Sequence, residues 1–230
     1  MTSIASLTVV IPVFNEEACL PELERELCAA LCRVGMPYEV ILVNDASTDG
    51  TPRLLADLCT RRPEFRAISF EKNAGQSAAM AAGFRAARGT VTVTLDADLQ
   101  NDPADIPALL AAMEREGVDC MCGWREKRND TWLRRMSSKI ANGVRNSLSG
   151  ETIRDTGCSL KAYRTEFLRR IYLFRGAHRF LPTLLKMEGA TVAELPVRHR
   201  PRTLGTSKYG VWNRVFRSFY DLLGIRWMKS

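Results

Sequence analysis

The chain has 230 residues, 46% of them hydrophobic, with 33 Lys plus Arg against 26 Asp plus Glu and a net charge of +7, which is enough for one globular domain with a substantial core. That mean conceals an asymmetry: residues 1–124 hold 10 basic and 18 acidic side chains and carry −8, whereas residues 125–230 hold 23 and 8 and carry +15, so the two parts are expected to meet different partners. No run approaches the ~20 apolar residues of a membrane span, the first residues lack a secretory pattern, and seven cysteines with neither C-x-x-C spacing nor a histidine at ligand spacing argue against a zinc site or a disulfide framework.

In chain order, the continuous apolar run 7–13 suits a strand covered on both faces. Pro21 then opens a helix with Leu23, Leu27, Ala30, Leu31 and Val34 on one face, stopped by Gly35 and Pro37. Strands are expected at 38–43, 67–70, 90–95 and 118–122, alternating with a helix that Thr51 caps and Pro52 begins and with helices at 77–87 and 106–116. Regular alternation with connections too long for hairpins predicts a parallel sheet wrapped by helices. Beyond Trp124 the rhythm loosens into a basic stretch, a strand at 159–163, a helix near 180–186, a strand at 191–197, a polar loop at 198–209 and a closing helix at 211–228. This second part is expected to add loops and an edge to the sheet rather than a core of its own.

Ligands of open parallel sheets sit beyond the carboxyl ends of the strands, and four polar clusters fall there: Asn15-Glu16, NDASTDG at 44–50, KNAGQ at 72–76 and DADLQ at 96–100. Each alone reads as a turn with a helix cap; four along one edge point to a site. Asp96-Ala97-Asp98 is the sharpest, because two carboxylates one residue apart can both approach a hard divalent cation that shares its oxygen ligands with a diphosphate. Gln100 adds oxygen without charge. The first turn, Pro12 to Glu17, has no glycine, so the dinucleotide and P-loop fingerprints are absent. A nucleotide held instead by acidic loops and a metal fits a transferase that leaves a nucleoside diphosphate behind. Nucleic acid is not an expected partner, since no stacking aromatics interleave with the basic charges and the acidic cluster would go unexplained.

VIPVFNEE (10–17), VNDASTDGT (43–51), NAGQ (73–76), LDADLQNDP (95–103), DTGCSLKAYR (155–164) and the basic segment 200–209 together resemble the ordered motifs of the family 2 glycosyltransferases. Within them they are most similar to the polyprenyl-phosphate hexosyltransferases, the group that includes dolichol-phosphate mannose synthase. The resemblance runs over nearly the whole chain. It implies an α/β fold of the GT-A, Rossmann-like type over residues 1–210, with a mostly parallel sheet flanked by helices. It also implies an inverting, metal-dependent transfer of a hexose from a UDP- or GDP-linked sugar to a polyprenyl phosphate. By motif position, Pro12, Asn15, Glu17, Asp45, Asp49, Asn73 and Gln76 would bind the nucleotide sugar, with Asp45 at the base edge, and Asp96 would contact the donor sugar or ribose. Asp98 and Gln100 would ligate Mg²⁺ or Mn²⁺. Arg125 would lie near the donor and Asp155 beside the acceptor, making Asp96, Arg125 and Asp155 the catalytic set.

Elementary chemistry constrains the acceptor step. A hydroxyl acceptor on a glycan, the alternative substrate, would need a general base, whereas a phosphate monoester with a second pKa near ~6 is already a nucleophilic dianion. The difficulty is bringing that anion towards an anionic donor. Asp155 is therefore expected to orient groups, with Arg125, Arg200, Arg202, Ser207 and Lys208 receiving phosphates, and Gly205 with Pro201 marks 198–209 as a lid. In residues 211–230, Trp212, Val215, Phe216, Phe219, Leu222 and Leu223 share one side and Arg214, Arg217 and Asp221 the other. That pattern predicts an amphipathic helix in the membrane interface. It puts a peripheral protein at the cytoplasmic face of the membrane, by itself, as a homo-oligomer or through a membrane-embedded partner.

Overall fold

A computed structural model describes residues 3–125 and 153–201. Arg202, Ser207, Lys208, the rest of the expected lid and the closing helix lie outside the described residues. Seven strands, β1 (Leu7–Val13), β2 (Tyr38–Asn44), β3 (Phe65–Ser69), β4 (Val91–Thr94), β5 (Cys120–Arg125), β6 (Lys161–Arg164) and β7 (Val192–Val197), form one sheet in the order β3-β2-β1-β4-β6-β5-β7. β1 to β4 pair in parallel and β5 pairs in parallel with β7, while β6 runs antiparallel to both β4 and β5. The expected parallel sheet is thus a mixed one with a single reversed strand.

Helices α1 (Leu20–Leu31), α2 (Thr51–Arg61), α3 (Gln76–Ala86), α4 (Ile106–Glu116), α5 (Thr165–Leu168) and α6 (Leu181–Met187) cover the sheet, with 3-10 turns at Pro103–Asp105 and Ala177–Phe180. The strands are apolar on both sides because both sides are covered. Val9 and Ile11 of β1 and Val40 and Leu42 of β2 pack with Leu23 and Leu27 of α1, Leu55 of α2 and Leu109 and Met113 of α4. Their neighbours Val10, Ile41 and Val43 face Ala79, Met80 and Phe84 of α3 and Leu181 and Leu185 of α6. All seven cysteines are free thiols, and no described helix is long and apolar enough to cross a membrane.

The second part of the chain supplies more than an edge. β6 lies inside the sheet between β4 and β5, with Ala162 and Tyr163 fully buried. Because β6 is reversed, it begins where β4 ends: Lys161 pairs with Thr94. The turn before it, Asp155 to Leu160, is thereby delivered to the same edge as the polar clusters. β5 starts at Cys120 and extends through Gly123, Trp124 and Arg125, so Arg125 arrives at that edge too. Thr51 is the first residue of α2 rather than its cap; its N–H donates to Asp49 Oδ1 at 3.0 Å, and its hydroxyl accepts from the Glu16 N–H at 3.0 Å.

α3 reaches the edge because Gly83 lets it lie close to β1: a Cβ there would fall 2.3 Å from Val10 Cγ1. Gly83→Ala would gain about 1 kcal/mol of helix propensity but overpack a stiff, fully buried valine, at a cost of about 1–3 kcal/mol. The clash is expected to win. Urea unfolding should show a lowered midpoint at unchanged slope, and an unchanged or raised midpoint would contradict this packing.

Candidate active site

The carboxyl edge of the parallel strands is built from turns in unusual backbone geometry. Asn15 after β1, Ala46 after β2 and Leu99 after β4 have φ of +52°, +58° and +61°, and Gly75 after β3 has φ +89°. These are the three non-glycine residues with positive φ among the described residues. Asparagine tolerates this region, but for alanine and leucine it costs on the order of 1–3 kcal/mol each and persists only where neighbours over-determine it.

The over-determination is visible in the hydrogen bonds. The Asn15 N–H donates to Ser47 Oγ at 2.9 Å while Asn15 Oδ1 accepts from the Thr48 N–H at 2.7 Å. Glu17 Oε2 accepts from the Gly50 N–H at 2.8 Å, and the Glu17 N–H donates to Asp49 Oδ2 at 3.3 Å. Burial alone would raise the Asp49 carboxyl, but bonds from the Thr51 side chain and N–H and from the Glu17 N–H hold it below its ordinary value. Asp45 is buried, with Oδ1 accepting from the Ala74 N–H at 2.7 Å and Oδ2 from the Gly75 N–H at 2.9 Å, while its carbonyl accepts from Asn73 Nδ2 at 3.1 Å. The residues expected to hold a nucleotide therefore first hold one another. Asp45 and Asn73 lock the turn before α3, and Asn15, Glu17 and Asp49 lock the first two turns together. Pro12 stands in β1 opposite Val43.

After β4 the chain alternates: Leu95, Ala97 and Leu99 are buried, whereas Asp96, Asp98 and Gln100 are half-buried at the rim. Gln76 Nε2, in the first turn of α3, donates to Asp96 Oδ1 at 2.8 Å, and the Gln100 N–H donates to Asp98 Oδ1 at 3.2 Å. Burial pushes the Asp96 carboxyl up to about 6, and the Asp98 charge adds to it, against the Ser159 hydroxyl and the cations of Lys161 and Arg125. A carboxyl pushed up by burial and by a neighbouring carboxylate charge is relieved by a hard divalent cation, which takes oxygen ligands. Asp98 and Gln100, the residues that would hold a cation, offer oxygen donors of the kind Mg²⁺ and Mn²⁺ take; among the described residues no cluster of three or more His, Cys, Asp or Glu exists.

Arg125 and Asp155 form the second part of the site. Nε and Nη2 of Arg125 donate to Asp155 at 2.6 and 2.9 Å, and the N–H groups of Arg125 and Gly157 add bonds at 3.3 and 3.2 Å. Asp155 is 5% exposed. Four donors fill the roughly four lone-pair sites of a carboxylate, which makes Asp155 a poor proton acceptor and a good anchor for the guanidinium plane.

Arg200, expected at the acceptor phosphate, is engaged by carboxylates. Its Nη1 donates to Glu26 at 2.6 Å and its Nη2 meets Asp102 at 2.7 Å, while its N–H donates to the Gln100 carbonyl at 2.8 Å. Arg198 pairs with Asp102 at 3.1 Å and with Asp105 at 2.7 Å. The acidic first part of the chain thus absorbs these two cations, clamping the exit of β7 onto the segment that follows Asp98.

Five residues given no role from the sequence are brought in by the structure. Ser159 Oγ accepts from the Asp96 N–H at 3.2 Å and donates to Asn101 Oδ1 at 2.8 Å. Lys161 is buried beneath the same turn. Ser77 Oγ accepts from the Gly176 N–H at 3.0 Å and sits 2.8 Å from His178 Nδ1, tying the Ala177–Phe180 turn to α3 beside Gln76. Their signal was position: Asn101 and Ser159 each lie within a few residues of a cluster already singled out.

Residues 8–172 match Glycosyl transferase family 2. The chain is 38% identical over 223 residues to a dodecaprenyl-phosphate galacturonate synthase of Rhizobium johnstonii, covering 95% of this chain and 66% of the relative. It is 37% identical over 223 residues to an undecaprenyl-phosphate 4-deoxy-4-formamido-L-arabinose transferase of Edwardsiella ictaluri, covering 96% and 68%. The chain spans about two thirds of the length of these curated relatives. Among solved structures, it superposes on a mannosyltransferase of Pyrobaculum calidifontis in complex with GDP-Man and Mn²⁺ with a TM-score of 0.66 and 20% identity, covering 100% of this chain and 64% of that one. A glucosyl-3-phosphoglycerate synthase of Mycobacterium tuberculosis, in complex with Mn²⁺, UDP and phosphoglyceric acid, gives 0.70 and 20% identity, covering 96% and 77%. These likenesses establish an α/β fold of the GT-A type, and with the match over residues 8–172 they show that the chain belongs to glycosyl transferase family 2.

Proposed function

We propose that the protein transfers a glycosyl group from a nucleoside-diphosphate sugar to a polyprenyl phosphate, with inversion at the anomeric carbon. The names of the relatives include both a hexuronate and a formamido-pentose, so the expected hexose widens to a glycosyl group, with UDP and GDP donors both in scope. The observation that carries the acceptor assignment is the saturated carboxylate of Asp155. A hydroxyl acceptor needs a base at that position, and a phosphate does not.

In this reading a phosphate oxygen of the acceptor forms the new bond to the anomeric carbon as the bond from that carbon to the nucleoside diphosphate breaks. Asn15, Glu17, Asp45, Asp49 and Asn73 shape the pocket for the nucleotide through the turns they lock. Gln76 and Ser159 hold Asp96 where it meets the donor sugar or ribose. Arg125, its plane set by Asp155, offers positive charge to phosphate oxygens at the meeting of two anions. A Mg²⁺ or Mn²⁺ ion at Asp98 and Gln100 would supply charge neutralisation for the leaving diphosphate. Arg202, Ser207 and Lys208 are proposed for the acceptor phosphate; Arg200 acts upstream of them as a clamp. The lipid acceptor brings the protein to the membrane surface, with the 211–230 segment as its proposed contact.

Incubation with Mn²⁺, a panel of UDP- and GDP-sugars and vesicles carrying undecaprenyl phosphate should yield a glycosylated polyprenyl phosphate by mass spectrometry, and the free polyprenol should not react. Glycosylated polyprenol, or product on a glycan hydroxyl only, would favour the base-dependent alternative. Asp155→Asn should lower kcat by about 10–100-fold through a misplaced guanidinium while leaving the shape of the pH–rate profile intact. Loss of its acidic limb would identify Asp155 as a base.

A further inference from the structure

Lys161 opens β6 at 2% exposure, and among the described residues it has no carboxylate within salt-bridge distance. Burying an ammonium is expensive unless its protons are satisfied, and an aliphatic side chain would fill the same space. Its Nζ donates instead to two backbone carbonyls, Thr156 O at 3.1 Å and Cys158 O. Both belong to the turn that the reversed direction of β6 brings to the site. The next two carbonyls are held from neighbouring strands: Ser159 O accepts from Thr94 Oγ1 at 2.6 Å, and Leu160 O accepts from the Gly123 N–H at 2.9 Å.

The two ends of that turn carry site contacts. At one end Asp155 grips Arg125; at the other the Ser159 hydroxyl holds the Asp96 backbone and Asn101. Between them Lys161 is the side chain that spans the turn from below. A neutral hydroxyl cannot donate to two carbonyls, whereas an ammonium has three donors on a flexible stem.

We propose that Lys161 is a positioning residue for the transfer step, its buried ammonium tying the Thr156 and Cys158 carbonyls so that Asp155 and Ser159 hold Arg125 and Asp96 in register. The proposal rests on the glycosyltransferase reading above. It predicts that the same turn loosens and catalysis falls when the tie is cut, even though Lys161 touches no substrate.

The test uses the full chain with Lys161→Met, which removes the donors, and Lys161→Gln, which keeps two donors and drops the charge. Hydrogen exchange of Lys161→Met should quicken in residues 155–160 and stay unchanged in α1 and α4. Its kcat should fall about tenfold or more with the donor KM within about threefold, and Lys161→Gln should recover part of the loss. In an Asp155→Asn background, Lys161→Met should cost less than it does in the wild-type protein, because the two share the Arg125 arm of the tie and only the Ser159 arm remains to be lost. Wild-type kcat in Lys161→Met, additive losses in the double variant, or no recovery in Lys161→Gln would each overturn the proposal. If Lys161→Met does not fold, Lys161→Gln takes its place, with a smaller fall in kcat and quickened exchange at 155–160 expected; wild-type values for both would overturn the proposal. Absence of product from the wild-type protein would overturn the glycosyltransferase reading instead, and the exchange experiment still reports on the tie.

Discussion

Asp96 and Asp98 stand two residues apart where β4 ends, sunk far enough into the protein that burial and their mutual repulsion push Asp96 up to about 6. Like charges in that position are unfavourable without cations near them, and much of the edge can be understood as the answer. The cations of Lys161 and Arg125 act against that shift, the Ser159 hydroxyl accepts from the Asp96 N–H, and Gln76 donates to its carboxylate from α3.

The backbone around the pair is strained to serve the same end. The left-handed turn at Leu99 buries its side chain, so Asp98 and Gln100 are turned outward on either side of it. Asn15 and Ala46 also lie in left-handed turns, and side-chain bonds between the first two loops hold them. A binding edge with its costs already met by internal hydrogen bonds needs little reorganisation when ligand arrives. The long-range charge asymmetry is part of this scaffold: Arg198 and Arg200, which come from the basic part, are bound to Asp102, Asp105 and Glu26 of the acidic part.

Local pattern was sufficient for the first four strands and their helices, because apolar runs capped by polar turns carry that information in adjacent residues. The 96–100 cluster was legible for the same reason. The reversal of β6 was not, since a short apolar strand has the same composition in either direction and its sense depends on where β4 and β5 lie. Arg200 pairs with a glutamate 174 residues away, a distance at which charge alone suggests only solvent or ligand. Left-handed Ala46 and Leu99 carry no glycine to announce them, and the burial of Lys161 follows from three strands meeting over it. The orienting role expected of Asp155 came from the chemistry of a phosphate acceptor, and its four hydrogen-bond donors come from β5 and from its own turn, which no local pattern announces.

In the proposed reading, a divalent cation strengthens the binding of a nucleoside diphosphate at the Asp96–Asp98 edge. Calorimetric titration of UDP and of GDP, with and without Mn²⁺, tests it most directly. The account predicts that one nucleotide gains at least about tenfold in affinity when Mn²⁺ is present, and that the gain disappears in Asp98→Asn; linkage requires the same gain for Mn²⁺ when the nucleotide is bound. Equal nucleotide affinity with and without the metal, or a gain that survives in Asp98→Asn, would contradict it.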